Sequence, residues 1–297
     1  QFDITIIGKE PYPNYNRIML SNILQKKMTV EDTIMNSYDW YQENNIELIN
    51  NDPVEKVDKE NKIVTTSKGI EVEYDICIFA TGSKAFVLPI PGSNLPSVIG
   101  WRTIDDTNKM IEIAQTKKRA VVIGGGLLGL ECARGLLDQG MEVTVLHLAD
   151  WLMEMQLDRK AGDMLKADLE KQGMKIELQA NSKEIIGDKD VEAIKLADGR
   201  VIETDLVVMA VGIRPYTEVA KDSGLDVNRG IVVNDYMQTS DSHIYAVGEC
   251  AEHDGKVYGL VAPLYEQGKV LADYLTGKET KGYKGSTTFT SLKVSGC

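Results

Sequence analysis

The sequence predicts an α/β protein in which one doubly wound fold occurs twice, and three observations predict it. Residues 119–147, "RAVVIGGGLLGLECARGLLDQGMEVTVLH", read as an apolar strand, a glycine turn, an amphipathic helix and a second strand, which is a βαβ unit. The chain opens on "FDITIIGKE", an alternating apolar strand that runs into Glu10 and looks like the second strand of another such unit. Finally, "GIEVEYDICIFATG" (Gly69–Gly82) aligns with "GRVIETDLVVMAVG" (Gly199–Gly212), placing Glu73 on Glu203, Asp75 on Asp205, Ala80 on Ala210 and Gly82 on Gly212. Each copy is a small antiparallel meander feeding a buried strand that stops at a glycine.

Taken in order, the opening strand is followed by a helix expected over Val30–Asn44, then by strands in "IELINNDPVEKVD" and in the first meander. The complete βαβ unit comes next, then a helix with periodic apolar positions over Ala161–Gln172 and the strands of the second meander. After Val211 the chain runs through "NRGIVVNDYMQTSDSHIYAVGEC" to a helix expected from about Pro263 to Leu275. This last part is expected to return to the first fold, so that residues 104–235 form a domain inserted into one made of 1–103 and 236–297. The opening strand, glycine turn and helix of the first fold belong in roughly 30 residues ahead of Gln1, judged from the usual size of the unit. The end at "LKVSGC" carries no terminal signature and reads as a cut.

Composition narrows the function. Hydrophobic residues at 43% and charged ones at 26%, with 26 glycines scattered through apolar runs, describe a globular chain long enough for two cores. A formal charge of -12 disfavours nucleic acid and anionic membranes as partners. No apolar run is long enough to span a bilayer and no leader pattern follows Gln1, so a cytoplasmic location is expected. Cys77, Cys132, Cys250 and Cys297 lie far apart with no CxxC, and there are three histidines, so no metal site is expected.

The motifs point to nucleotides. In "GGGLLG", Gly124, Gly126 and Gly129 form GxGxxG between a strand and a helix. The first glycine allows the tight turn, the second lets backbone approach a pyrophosphate, and the third packs helix on strand; the helix start, at Leu127 and Leu128, faces the phosphate charge. His147 ends the second strand, where an NAD site usually places an acid on the ribose. With no acid there the choice between NADH and NADPH is open; a histidine can bond ribose or phosphate, or simply stand at the surface. Glu10 lies within a residue or two of the corresponding ribose position in the first fold, although a solvated turn carboxylate reads the same way. "DICIFATGS" and "IYAVGECAE" end buried strands at Gly82 and Gly248, where glycine lets backbone approach a cofactor. Glu249 can accept a hydrogen bond from a ribityl hydroxyl.

With "YNRIMLS", "ATGS", "GGGLLGLE", "AVGIRP" and "IYAVGECA" the chain resembles, over almost its whole length, the two-dinucleotide flavoproteins of the pyridine nucleotide-disulfide oxidoreductase type. That family includes ferredoxin reductases, NADH oxidases and the electron-entry module of assimilatory NAD(P)H-dependent nitrite reductase large subunits. "NYNRIMLS", "MEMQLD", "NRGIVVND" and "YAVGECAEHDGKVYGLVAPLYEQ" are most similar to those large subunits. The resemblance implies FAD held by Glu10, Arg17, the backbone near Val54, Thr81, Gly82, Gly248 and Glu249, with the helix near Pro263 directing its positive end at the flavin. It implies NADH or NADPH over Gly124, Gly126, Leu127, Leu128, Gly129 and Gly212. Two departures matter. Asn22 stands where many ferredoxin reductases have a lysine, and "YNRIMLSNIL" has no redox cysteine.

The expected function is therefore FAD-dependent NAD(P)H dehydrogenation, passing electrons toward iron-sulfur and siroheme centres outside residues 1–297, with nitrite reduction itself beyond these residues. No side chain is expected to act as acid or base, because hydride transfer depends on positioning the cofactors. Without its own glycine loop the first fold is expected to hold FAD poorly. Downstream metal-bearing modules and a small subunit are the expected partners, with homo-oligomerisation possible in principle. The alternatives are a stand-alone NADH:ferredoxin or rubredoxin reductase and, from another class, a nucleotide-sensing protein without turnover.

Overall fold

The computed structural model describes residues 2–294. They form two compact units, each assembled from separated stretches of chain: 2–15, 35–84 and 213–290 in the first, and 16–34, 85–212 and 291–294 in the second. The divisions expected near 103 and 236 fall inside these units. Their polar stretches are loops of a unit, since Val98–Gly100 pairs with Leu206–Met209 in the second and Ile231–Val233 pairs with Ala251–His253 in the first.

The second unit is built on a five-stranded parallel sheet in the order Lys175–Glu177, Glu142–Leu146, Arg119–Ile123, Leu206–Met209, Val98–Gly100. Leu206, Val207, Val208 and Met209 are all buried, as a strand covered on both faces requires. Helix Leu127–Asp138 follows the first strand of the βαβ unit, and helix Arg159–Lys171 begins at Asp158, whose side chain accepts from the Ala161 N–H. A meander of Ser182–Ile186, Ala193–Leu196 and Val201–Glu203 is antiparallel throughout. Leu24 packs into a notch at Gly135, where an added Cβ would meet its side chain at 2.5 Å, and the Gln139 Nε2 donates to the Leu24 carbonyl at 2.8 Å. That contact assigns residues 16–34 to this unit.

The first unit repeats the meander, with Val54–Asp58, Ile63–Thr66 and Glu71–Glu73 antiparallel, so the sequence repeat is also a repeat of topology. Its parallel strands form two separate pairs, Ile4–Ile7 with Ile46–Ile49 and Cys77–Phe79 with Ile244–Ala246. Among the described residues no strand joins these pairs, whereas in the second unit Arg119–Ile123 bonds to a neighbour on either side. Ile4, Ile6 and Ile78 on these strands are exposed at 45%, 41% and 45%, an unusual position for isoleucine in a sheet. The core gathers instead around Phe79, Ile231, Met237, Ile244, Ala246 and Leu271.

One expected element is corrected. Val30–Asn44 is not a continuous helix: a 3-10 turn at Glu31–Thr33 ends at Ile34 in extended conformation, and helix Tyr38–Glu43 starts afresh at Ser37. The Met35 N–H donates instead to the Asn14 carbonyl, and Ser37 Oγ caps the Trp40 N–H. The helices expected over Ala161–Gln172 and Pro263–Leu275 are present as Arg159–Lys171 and Val261–Leu275.

Candidate nucleotide-binding sites

The glycine turn of the second unit is shaped by three different requirements. Gly124 has φ +118°, and a Cβ there would lie 2.3 Å from the Ala210 carbonyl oxygen; only glycine meets both conditions. At Gly129 a Cβ would lie 1.9 Å from the Gly124 carbonyl oxygen, so this glycine lets the helix seat against the turn. Gly126, the residue before helix Leu127–Asp138, has no heavy atom within 4 Å of an added Cβ and no side-chain cap. Open space over the first turn of a 12-residue helix fits a pyrophosphate, which the backbone N–H groups and the helix dipole both favour. Leu127 and the exposed Leu128 contribute backbone here. Gly212, at φ +109°, likewise has nothing within 4 Å.

His147 is 7% exposed, so it does not stand at the surface. Its Nδ1 accepts the Gly125 N–H at 3.0 Å, while Nε2 lies 2.9 Å from the Glu154 carboxylate. Because the amide is a donor, the ring proton resides on Nε2 and is donated to Glu154. The Gly125 carbonyl accepts from the Met153 N–H at 3.0 Å, so segment 147–154 grips both polar atoms of this peptide residue. Gly125 has its own reason to be glycine: a Cβ would meet the His147 ring at 2.8 Å and Leu152 at 2.6 Å. Neither Gly125 nor Glu154 was expected as a site residue. The one available signal was a third consecutive glycine where the motif needs only alternate ones.

In the first unit, Thr81, Gly82, Gly248 and Glu249 follow the ends of the paired strands Cys77–Phe79 and Ile244–Ala246. This is the carboxyl edge at which open α/β sheets take ligands. Gly82 and Gly248 have φ of +64° and +88°. Ser83 Oγ donates to Glu249 at 2.8 Å, Thr81 Oγ1 to the Tyr216 carbonyl at 2.7 Å, and Tyr15 Oη to Glu10 at 2.6 Å. Gly248 N–H is held by Gln267 of helix Val261–Leu275 at 2.8 Å. Pro263 sits buried in the first turn of that 15-residue helix, where a missing N–H costs nothing, and no side chain caps the helix at Leu260. Val54 begins the meander and packs on the core. Arg17 is placed in the second unit, with its guanidinium donating to the Arg102 carbonyl at 2.7 Å.

Thiol chemistry has no foothold among the described residues. Cys77, Cys132 and Cys250 are unpaired, and burial pushes the Cys77 thiol up to about 12 and raises the other two as well. No group of side chains among the described residues could hold a metal ion, and no helix there is long and apolar enough to cross a membrane.

Comparison with known proteins agrees with this geometry. The family model described as pyridine nucleotide-disulphide oxidoreductase matches residues 1–268. The chain is 58% identical to the nitrite reductase (NAD(P)H) of Bacillus subtilis (strain 168), covering 100% of this chain and 37% of that protein. It is 34% identical to the NADH-rubredoxin oxidoreductase of Clostridium acetobutylicum, covering 99% of this chain and 73% of that one. Among solved structures, a ferredoxin reductase from Rhodopseudomonas palustris superposes with a TM-score of 0.88 at 30% identity, over 95% of this chain and 71% of that one. A match over most of the chain, a relative covered for nearly three quarters of its length, and the glycine cradle together show that the chain belongs to the pyridine nucleotide-disulphide oxidoreductase family.

Proposed function

We propose that these residues form the electron-entry part of an assimilatory NAD(P)H-dependent nitrite reductase, a flavoprotein dehydrogenase acting in the cytoplasm. The observation that carries the reading is the open cradle at Gly126, backed by the start of a well-formed helix. The 58% identity to a nitrite reductase (NAD(P)H) of which the chain spans 37% supplies the physiological context.

In this reading the second unit holds the nicotinamide nucleotide through Gly124, Gly126, Leu127, Leu128, Gly129 and Gly212. His147 serves behind the cradle, fixing the Gly125 peptide instead of touching the ligand. The first unit holds FAD, with Glu10 and Glu249 accepting from ribose and ribityl hydroxyls, and Thr81, Gly82, Gly248 and the backbone near Val54 allowing close approach. Arg17 is a further contact in the family pattern. When bound, FAD supplies acceptance of a hydride and release of electrons one at a time. The chain's own part is binding and orientation: Ser83 fixes the Glu249 carboxylate, Gln267 fixes the Gly248 peptide, and the uncapped start of helix Val261–Leu275 offers N–H groups to negative charge. No acid, base or thiol of the chain takes part. Iron-sulfur and siroheme centres, and a small subunit, belong to the larger assembly.

The test is anaerobic mixing with NADH of the chain in the presence of FAD raised to saturation, with the same concentration of free FAD as the control. The flavin absorbance is expected to bleach and to return when a one-electron acceptor such as ferricyanide is added. Reduction no faster than that of free FAD refutes the assignment.

A further inference from the structure

The strand end at His147 lacks the carboxylate that usually selects NADH over NADPH, and the structure brings the Glu154 carboxylate to within 2.9 Å of His147 Nε2. We propose that Glu154, held by His147 against the glycine turn, is the residue that discriminates against a 2'-phosphate and makes this site selective for NADH. The inference rests on the nucleotide assignment of the second unit.

Two independent bonds place Glu154 there. Through the side chains, Gly125 N–H, His147 and the Glu154 carboxylate form a chain of contacts of 3.0 and 2.9 Å. Through the backbone, the residue just before Glu154 donates its N–H to the Gly125 carbonyl at 3.0 Å. Met153 reaches that bond in a left-handed conformation, φ +54°, which a non-glycine residue adopts only when its surroundings impose it. The segment is thus folded back onto the turn at some conformational cost, and Glu154 is the ionisable group it carries there.

With Nδ1 facing the Gly125 amide, it is the Nε2 side of the ring that meets the Glu154 carboxylate. From His147 through Asp158 the sequence, "HLADWLMEMQLD", contains no lysine or arginine, whereas Asp150 and Asp158 add further negative charge. The nearest basic side chain in sequence, Arg159, is directed to Asp150 and Asp163. A 2'-phosphate needs a basic partner, and this segment offers the opposite. Glu154 keeps 35% side-chain exposure, leaving an oxygen accessible to a ribose hydroxyl.

The experiment is a binding measurement on the chain as it stands, with NADH and NADPH titrated separately and followed by calorimetry. The unsubstituted chain is expected to bind NADH at least tenfold more tightly. Glu154→Gln keeps an acceptor for His147 and removes the charge, so the preference should fall by roughly tenfold, the scale of one unscreened charge beside a phosphate. Glu154→Lys should lower it further. A graded series from Glu through Gln to Lys is not what misfolding would produce. Glu142→Gln, at the far end of the same strand, should leave the preference unchanged. Binding of both nucleotides with a ratio that Glu154→Gln and Glu154→Lys do not move overturns this inference alone. Failure of the unsubstituted chain to bind either nucleotide overturns the nucleotide assignment, and this inference with it.

Discussion

Replacing Gly129 and Gly126 by alanine, one at a time, separates packing from ligand access within a single motif. At Gly129 the new methyl would lie 1.9 Å from the Gly124 carbonyl oxygen and 2.9 Å from its carbon. That is more than an ångström inside ordinary contact, and the obstacle is backbone, so helix Leu127–Asp138 must lift away from the strand. Overpacking of this kind costs about 3 kcal/mol, while alanine's better helix propensity returns about 1 kcal/mol, leaving a net loss of about 2 kcal/mol. With a urea m-value of about 2 kcal/mol per molar, the midpoint should drop by about 1 M. Gly126→Ala meets nothing within 4 Å and sits at φ -89°, ψ -175°, which alanine adopts freely; the poorer cap should cost less than about 1 kcal/mol. Its methyl projects into the space assigned to pyrophosphate, and NADH should bind at least tenfold more weakly, a loss of about 1.4 kcal/mol. Urea unfolding followed by circular dichroism and a nucleotide titration on both variants would check the pair. The reasoning is refuted if Gly129→Ala unfolds at the original urea concentration, or if Gly126→Ala binds NADH undiminished.

Three further outcomes are expected. Asp205 is held below the usual carboxylate range chiefly by the Arg119 guanidinium, with the Arg119 and Lys118 N–H groups adding to it against the effect of burial; a depressed carboxyl stabilises above its unfolded value of 3.8 and loses that contribution as pH falls further. Asp205→Asn should therefore cost about 1–2 kcal/mol at neutral pH and progressively less in acid, as read from urea midpoints across pH. Cys77, Cys132 and Cys250, with thiols raised by burial, should react slowly with a thiol reagent at pH 8 in a Cys297→Ser chain and promptly once guanidinium is added. Since a raised thiol stabilises fully below its unfolded value and is lost on approach to about 12 for Cys77, the fold should also weaken in strong alkali. Glu131 is 4% exposed and receives both the backbone N–H and Nζ of Lys293, at 3.1 and 3.2 Å; deleting the chain from Lys293 onward should destabilise the second unit by about 2 kcal/mol or more, by leaving a buried carboxylate short of partners.

The local grammar of the fold was legible because its periods are short. The βαβ unit announces itself by an apolar run, a glycine turn and a 3.6-residue period, and the two meanders by aligned glycines and acids. What was not legible depends on partners remote in sequence. Val30–Asn44 has apolar residues at helical spacing, yet the Met35 N–H finds the Asn14 carbonyl and the helix breaks there. Residues 16–34 join the second unit because Leu24 fits the notch at Gly135, a match of shapes that composition does not record. His147 was visible as a residue standing where an acid is usual. Its service to the Gly125 amide, and the delivery of Glu154 that follows, required knowing where the chain turns back.

The interleaving of the two units along the chain fixes the order in which a ribosome can complete their sheets. All five strands of the larger parallel sheet have been made once Met209 emerges, whereas the other unit still awaits Ile244–Ala246 and the helix ending at Leu275. At common synthesis rates of about 5–20 residues per second, that interval is on the order of several seconds. Through it the nascent strand Ile4–Ile7, though translated ahead of every strand of the larger sheet, belongs to the unit whose sheet strands are completed later. A strand made before the larger sheet is thus enclosed after it, and holding chaperones would find their opportunity there.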